Sequence, residues 1–357
     1  MRFLQTLIIA LSLCGTYGAS VDVNGQELPD IRVSNVRKVF DNGHHNAFTD
    51  LAKFNDRYYL TFRSCPDGHM VHPTASIIIL VSDDLQSWEP VHEFSVKHRD
   101  TRDPHFLVFR DRLFVYTGTW FSGATTLPRS DYDLNKHLGY AVWSKDGSQW
   151  QGPTMLEGTF GHYIWRAASQ GDKAYLCGRR KHQFDIRPRG EGPQVESAIL
   201  ESDDGLTWKT AGLFQEQSGD ETAFQFLPDG SLLGIARRGS GNAEVVRSRP
   251  PFDEWMRRDL DRYIGGPLLI RWGDRWVVGG RRNTPHGPKT SLCWLVGDEL
   301  TEFAQLPSGG DNSYPGFLSL GPDRAAVSWY SSHEKEAEGK TITAIYMADL
   351  RVQSQKD

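Results

Sequence analysis

An all-β ring of antiparallel repeats, a β-propeller, is the fold that this sequence predicts, and three observations predict it. One turn recurs three times with a Ser, an Asp two residues on and a Trp four beyond: Ser82/Asp84/Trp88, Ser144/Asp146/Trp150 and Ser202/Asp204/Trp208. Each follows a run of β-formers, and its Asp can accept backbone N–H bonds inside a hairpin turn while the Trp packs beneath. An apolar run, a short turn carrying Asp and a second apolar run recur six times, at Asp56, Asp111, Asp172, Asp229, Asp274 and Asp323, with steps of 55, 61, 57, 45 and 49 residues. No helix-length stretch carries a 3.6-residue periodicity. Four strands per unit at that period specify a six-bladed propeller of four-stranded antiparallel blades, with a five-bladed propeller as the alternative.

In chain order, Met1-Arg2-Phe3, the apolar run Leu4 to Cys14 and the small residues Gly15 to Ala19 read as a secretory signal peptide over residues 1–19. The mature protein is then expected to be secreted or periplasmic. Leu13 immediately before Cys14 makes a poor lipid-attachment box. Residues 20–357 form a single β-propeller domain. Its sixth unit stops at its third strand, Thr341 to Ala348, so the β-prone segment Ile31 to Val39 is expected to join that blade and close the ring, protecting an edge that an open sheet would expose. Ser122 to Lys136 in the second unit and Arg179 to Gly192 in the third read as long insertions at one mouth, where loops on a rigid scaffold carry binding. Cys65, Cys177 and Cys293 are widely separated and specify no disulfide framework. A net charge of −5 argues against nucleic acid as a general partner, and no later stretch reaches the ~18 apolar residues of a membrane helix.

Within each unit the first strand starts, and the second ends, on the same side, so these positions enumerate one face. First strands supply His44, His45, Asp50, Arg102, Asp103, His105, Trp165, Arg166, Asp220, Glu221, Asp311 and Tyr314; second strands supply Arg63, Trp120, Arg179, Arg180, Arg237, Arg238, Arg281, Arg282 and His333. Guanidinium groups concentrated on one rim point to recognition of a carboxylate, sulfate or phosphate, because Arg presents paired donors to planar anions. The Ser/Asp/Trp turns resemble the Asp-boxes of the sialidase (neuraminidase) superfamily, each one residue shorter than the usual spacing. Glu221, the Asp229-Gly230 turn and Arg237 are similar to the sialidase segment with a Glu, an Asp-Gly turn and an Arg ending the next strand. Ser313-Tyr314-Pro315-Gly316 with Val327-Ser328-Trp329-Tyr330 resembles the late segment that holds the family's Tyr. The resemblance covers the mature chain as blade architecture and implies a retaining exo-glycosidase that removes a terminal acidic sugar, sialic acid or a related carboxylated sugar, from a glycan or glycoconjugate. On that resemblance Tyr314 is the nucleophile, Glu221 takes its proton, and Arg237 and Arg281 hold the substrate carboxylate, with Arg238, Arg282 or Arg166 as further members.

Two segments depart from the family pattern. The family's first carboxylate-binding Arg lies in a Phe-Arg-Ile-Pro stretch, whereas Asn46 to Leu51 has no Arg, leaving Arg63 or Arg166 to stand in. Its acid/base Asp lies in the loop after the second strand of the first blade, where Cys65 to His72 offers Asp67 first, then His69 and His72, since His titrates near neutrality. Trp120 and Trp165 are candidate platforms for a sugar ring. Asp100 to His105 instead resembles the Arg-Asp-Pro element of five-bladed glycosidases acting on arabinosides, xylosides, mannosides or anhydrogalactosides. In that reading Asp50, Asp103 and Glu221 are the carboxylates, one of them the general acid, one the general base and one that positions or tunes a partner. A third reading is a glycan-binding propeller that holds an acidic sugar without cleaving it. No cofactor is implied, because there is no Gly-rich phosphate loop and no His-Glu-x-x-His element. His44, His45, His69, His72 and His105 have no metal-ligand spacing, so no metal site is expected.

Overall fold

Runs of β-formers such as Ile77-Ile78-Ile79-Leu80-Val81 build strand after strand; the inner strands are buried on both faces between neighbouring sheets, while outer ones such as Trp255–Asp259 stay largely exposed. The computed structural model describes residues 27–188 and 191–353, so the signal peptide expected over residues 1–19, including Cys14, lies outside the described residues. In chain order, β1 (Ile31–Phe40) leads into β2 (His45–Phe54), β3 (Arg57–Cys65), β4 (Ser76–Ser82) and β5 (Glu89–Phe94). Next come β6 (Arg99–Phe109), β7 (Arg112–Phe121), β8 (Leu138–Ser144) and β9 (Trp150–Met155), then β10 (Tyr163–Gln170), β11 (Lys173–Lys181), β12 (Val195–Ser202) and β13 (Lys209–Gln215). The chain continues through β14 (Thr222–Phe226), β15 (Leu232–Ala236), β16 (Glu244–Ser248) and β17 (Trp255–Asp259) to β18 (Gly265–Trp272), β19 (Arg275–Thr284), β20 (Gly287–Val296) and β21 (Glu299–Leu306). It ends in β22 (Asn312–Ser319), β23 (Arg324–Lys335) and β24 (Thr341–Val352).

Four separate four-stranded antiparallel blades form, from β6–β9, β10–β13, β14–β17 and β18–β21. The remaining strands make one eight-stranded sheet, ordered β22-β23-β24-β2-β3-β4-β5 with β1 on β24. This corrects the expected six four-stranded blades, and the five-bladed alternative as well. Counting hairpins overstates the number of separate blades. All six Asp-bearing hairpins are present, but β2 and β24 run parallel and bridge at His45 and Thr343, which merges the two ends of the chain into one sheet. β1 pairs antiparallel with β24, Ile31 opposite Val352 and Phe40 opposite Ile345.

The three Ser/Asp/Trp turns share one geometry. In each, the Asp carboxylate accepts two backbone N–H bonds of 2.7–2.8 Å and the Ser hydroxyl accepts a third at 2.8 Å. Those N–H bonds hold the Asp84 and Asp146 carboxyls below their usual range, Asp146 at about 2.

The first strands of the hairpins, β2, β6, β10, β14, β18 and β22, each touch the next, and β22 touches β2 again, so they line a closed inner ring. Around it Phe62, Trp165, Phe224, Tyr314 and Tyr330 belong to one buried cluster; each such side chain contributes about 1.5–3 kcal/mol on burial. Five of these strands are bulged at the same height: between Ala47 and Asp50, Arg102 and His105, Ile164 and Ala167, Gly265 and Leu268, and Ser313 and Gly316. A bulge adds a residue to one strand and re-aims its side chain. Here the bulges set the direction of the residues at the centre of the ring.

Candidate active site

At four of the bulges the chain enters the left-handed region, with φ of 64° at Phe48, 53° at Asp103, 60° at Gly266 and 52° at Tyr314. For a side chain such as Tyr this costs on the order of 1–3 kcal/mol and persists only where surrounding contacts enforce it. Tyr314 has those contacts. Its hydroxyl donates to Glu221 Oε1 at 2.8 Å, and its ring packs edge-on against Phe48 and Trp165 at 4.8 and 5.2 Å. Glu221 stands just before β14, where its Oε2 accepts from Arg237 Nη1 at 2.9 Å and from the Gly266 N–H at 3.2 Å. Burial, reinforced by the Glu221 carboxylate, pushes the Tyr314 phenol well above its usual range, against the pull of Arg237 and Arg281. The phenol therefore holds its proton in this hydrogen bond to Glu221.

Gly266 makes that contact possible. A Cβ there would lie 2.6 Å from the Tyr314 ring. Gly266→Ala should displace the ring and lower kcat about 10²-fold, the scale of a 1 Å misplacement, while circular dichroism shows the fold intact; wild-type kcat in this variant would show that the ring position does not matter.

Both arginines matched to the carboxylate flank the Tyr. Arg237 reaches Asp220 at 3.3 Å as well as Glu221, and Asp220 is held in turn by Arg179 at 2.6 Å. Arg281 donates to the Asn312 carbonyl, to Tyr330 Oη at 2.9 Å and to Asp311 Oδ1 at 3.0 Å, with its guanidinium 5.8 Å from the centre of the Tyr314 ring. Asp311 gathers four partners, since Tyr330 Oη donates at 2.8 Å and His45 Nε2 and His69 Nδ1 lie 2.9 and 2.8 Å from Oδ2. Burial alone would raise its carboxyl; hydrogen bonds from His45 and His69 and the charge of Arg281 hold it well below the usual range. His45, His69 and Asp311 bring three metal-ligating atoms within 4.8 Å of one another and could hold an ion, although Arg281 already balances the carboxylate.

Asp103 has the opposite electrostatics. It is buried, its Oδ2 accepts a hydrogen bond from the Tyr163 hydroxyl, and its Oδ1 has no partner among the described residues. Burial, and then the Glu221 charge, push its carboxyl well above the usual range, more than Arg102 and Arg63 offset. Asp103 thus favours its protonated form more strongly than an ordinary carboxylate does.

Several other expected residues are placed in supporting positions. Arg166 spans the ring interior, donating to Asp50 Oδ1 at 3.1 Å and to the Pro267 and Pro315 carbonyls at 3.0 and 2.7 Å. Asp50 also accepts from the Phe106 N–H at 2.9 Å. Arg63 is fully buried in a two-pronged pair with Asp100, which Arg102 clasps in the same way; burial would raise Asp100, but Arg102 and Arg63 hold it at about 2. Both arginines also donate to the Met70 carbonyl, at 3.2 and 2.9 Å, pinning the loop that carries His69. Asp67 is exposed and accepts from Thr74 at 2.6 Å, and His72 is buried against Thr126 at 2.8 Å. Neither contacts Tyr314, Glu221 or Asp103. His69, between them in sequence, lines a cavity of about 770 Å³ together with Arg102, Trp120, Arg179 and Asp220. Trp165 lies wholly beneath Tyr314.

Asp220, Asp311, Tyr163 and Tyr330 complete the site and were not singled out by sequence. Asp220 and Asp311 stood in the rim enumeration and Tyr330 in the late segment around Trp329, each without an assigned role. Tyr163 gave no signal.

No protein-family model and no curated protein matches the sequence. Among solved structures, the chain is similar to a protein of unknown function from Dyadobacter fermentans, with a TM-score of 0.74 and 19% identity over 91% of this chain and 100% of that one. It is similar to the phage phi92 endosialidase, with a TM-score of 0.64 and 10% identity over 93% of this chain and 71% of that one. It is similar also to the Trypanosoma rangeli sialidase bound to the inhibitor DANA, with a TM-score of 0.63 and 13% identity over 92% of this chain. That match covers 57% of the T. rangeli chain, so the present chain corresponds to little more than half of that enzyme. What it shares with these sialidases is their propeller fold.

Proposed function

We propose that the protein is a glycosidase of sialidase type that releases a terminal carboxylated sugar with retention of configuration. The observation that carries this reading is the 2.8 Å contact between Tyr314 Oη and Glu221 Oε1, with Arg237 and Arg281 on either side. A neutral phenol approaches a carbon beside a carboxylate with less repulsion than a second carboxylate would meet. Glu221 takes the phenol proton as Tyr314 Oη bonds to the anomeric carbon and the glycosidic C–O bond breaks. Arg237 and Arg281 hold the substrate carboxylate. Asp103 gives its proton to the departing oxygen, a role suited to a carboxyl whose proton is held above the usual range by burial and the Glu221 charge. In the second half, Asp103 as carboxylate takes a proton from water as its oxygen bonds to the anomeric carbon, the bond from that carbon to Tyr314 Oη breaks, and Glu221 returns its proton to the departing phenolate.

A second donor, His69, is favoured by its place on the cavity wall and by its Asp311 partner. The Ser/Asp/Trp turns, read as Asp-boxes, fit the same family assignment. The test is purified protein against aryl glycosides of sialic, uronic and neutral sugars, with the anomer released followed by NMR. Turnover of a carboxylated glycoside with retention is expected. Inversion, or cleavage of neutral glycosides alone, would overturn the assignment in favour of two-carboxylate chemistry, and binding without product would make the protein a lectin.

A further inference from the structure

Beyond Asp220 the cluster opens into the cavity of about 770 Å³, more room than one sugar requires. Its walls are the two insertions, Arg129 and Tyr132 from the segment after β7, and Lys181 and Gln194 flanking the segment after β11. That second insertion begins at His182, because β11 runs on to Lys181. The walls are braced against each other and against the neighbouring loop. Tyr132 Oη accepts from the Val71 N–H at 3.1 Å, Asn135 Nδ2 donates to the Phe184 carbonyl at 3.0 Å, and Lys181 lies 3.4 Å from Asp133. Trp120 stands half-buried in the wall, 4.9 Å from the Tyr132 ring and 5.8 Å from that of Tyr163, the partner of Asp103.

The lining is cationic. Arg102, Arg129, Arg179 and Lys181 face it with Asp220 as the carboxylate among them. Arg102, Arg179 and Lys181 are each matched by an Asp of the protein. Arg129 is exposed and makes no ion pair or hydrogen bond among the described residues, and the Arg179 Nε is buried without a partner. Guanidinium donors held beside aromatic faces, continuous with the Tyr314 cluster through Asp220, are arranged for a sugar ring that bears an anion.

We infer, building on the glycosidase reading above, that this cavity is a subsite for a second sugar carrying its own carboxylate or sulfate, so that the substrate is an acidic oligosaccharide. The test compares kcat/KM on three oligosaccharides with the same terminal acidic sugar and a neutral, a carboxylated or a sulfated second sugar, beside the aryl glycoside. Wild type should favour at least one charged arm by roughly tenfold, the scale of one hydrogen bond to a charged group, and the two charged arms distinguish carboxylate from sulfate. In Arg129→Ala the preference should shrink toward one, with part of it kept in Arg129→Lys. Equal kcat/KM across the arms in wild type, or a preference that Arg129→Ala leaves untouched, overturns the subsite. If neither the oligosaccharides nor the aryl glycoside are cleaved, the glycosidase reading fails separately. Calorimetric affinities for the same three oligosaccharides then decide the subsite by the same ratio.

Discussion

Tyr314→Phe should lower kcat on a carboxylated aryl glycoside by at least about 10⁴-fold, because it removes the atom that bonds to the sugar in the proposed mechanism. Glu221→Gln should fall to a similar floor, and the double variant should fall no further, since nucleophile and base act as one unit. KM should change less than kcat, because Arg237 and Arg281 remain to hold the substrate carboxylate. A slow fluorinated acidic glycoside gives a second readout: intact-mass spectrometry should find one sugar added to the wild-type protein and none to Tyr314→Phe. Should Tyr314→Phe retain wild-type kcat, Tyr314 is a packing aromatic whose contact with Glu221 is structural.

Asp103→Asn separates the two proton donors. If Asp103 is the acid, kcat on glycosides with poor leaving groups should drop about 10²–10⁴-fold, the usual contribution of a positioned acid, and much less on activated aryl glycosides. His69→Gln should then show no such dependence on the leaving group; the reverse result would give the proton to His69. The two variants also differ in stability. Asp103 is raised well above its usual range by burial and the Glu221 charge, so the folded protein binds a proton that the unfolded chain has released. Between the ordinary carboxylate range near 4 and the raised native value, stability therefore declines as pH rises. Asn carries no proton to lose, so the Tm of Asp103→Asn relative to wild type should climb through that window. Wild-type kcat should fall on the alkaline side as Asp103 ionises. A relative Tm that stays flat with pH would mean that Asp103 is ionised in the native state.

The hairpins were legible because their turns have a chemical requirement. Asn55-Asp56 and Arg110-Asp111 sit at φ of 46–60°, and Gly171 and Gly273 take the same region beside their Asp. Such residues mark turns wherever they punctuate apolar runs. The seam between β2 and β24 was not legible, since it rests on one parallel bridge, His45 to Thr343, which leaves no period in sequence. Tyr314, Glu221, Arg237 and Arg281 stood among the hairpin ends, and the resemblance to sialidases picked them out from the rest. Arg63 and Arg166 occupy equivalent ends, yet one is closed on Asp100 and the other on Asp50 and two carbonyls. Sequence cannot separate an Arg that faces a cavity from one that knits backbone, because bulges decide the direction. The same holds for Asp67 and His69, two residues apart, where Arg63 and Arg102 fix the Met70 carbonyl and so decide which side chain faces Asp311.

Because β24 lies far along the chain from β1 and β2 and holds both, the sheet at the seam cannot assemble until β24 has been made. Contacts this distant in sequence form slowly and leave strand edges open in the meantime. Arg281 and Tyr314 lie late in the chain as well, so a chain that stops short of them has neither a sealed circumference nor the proposed nucleophile.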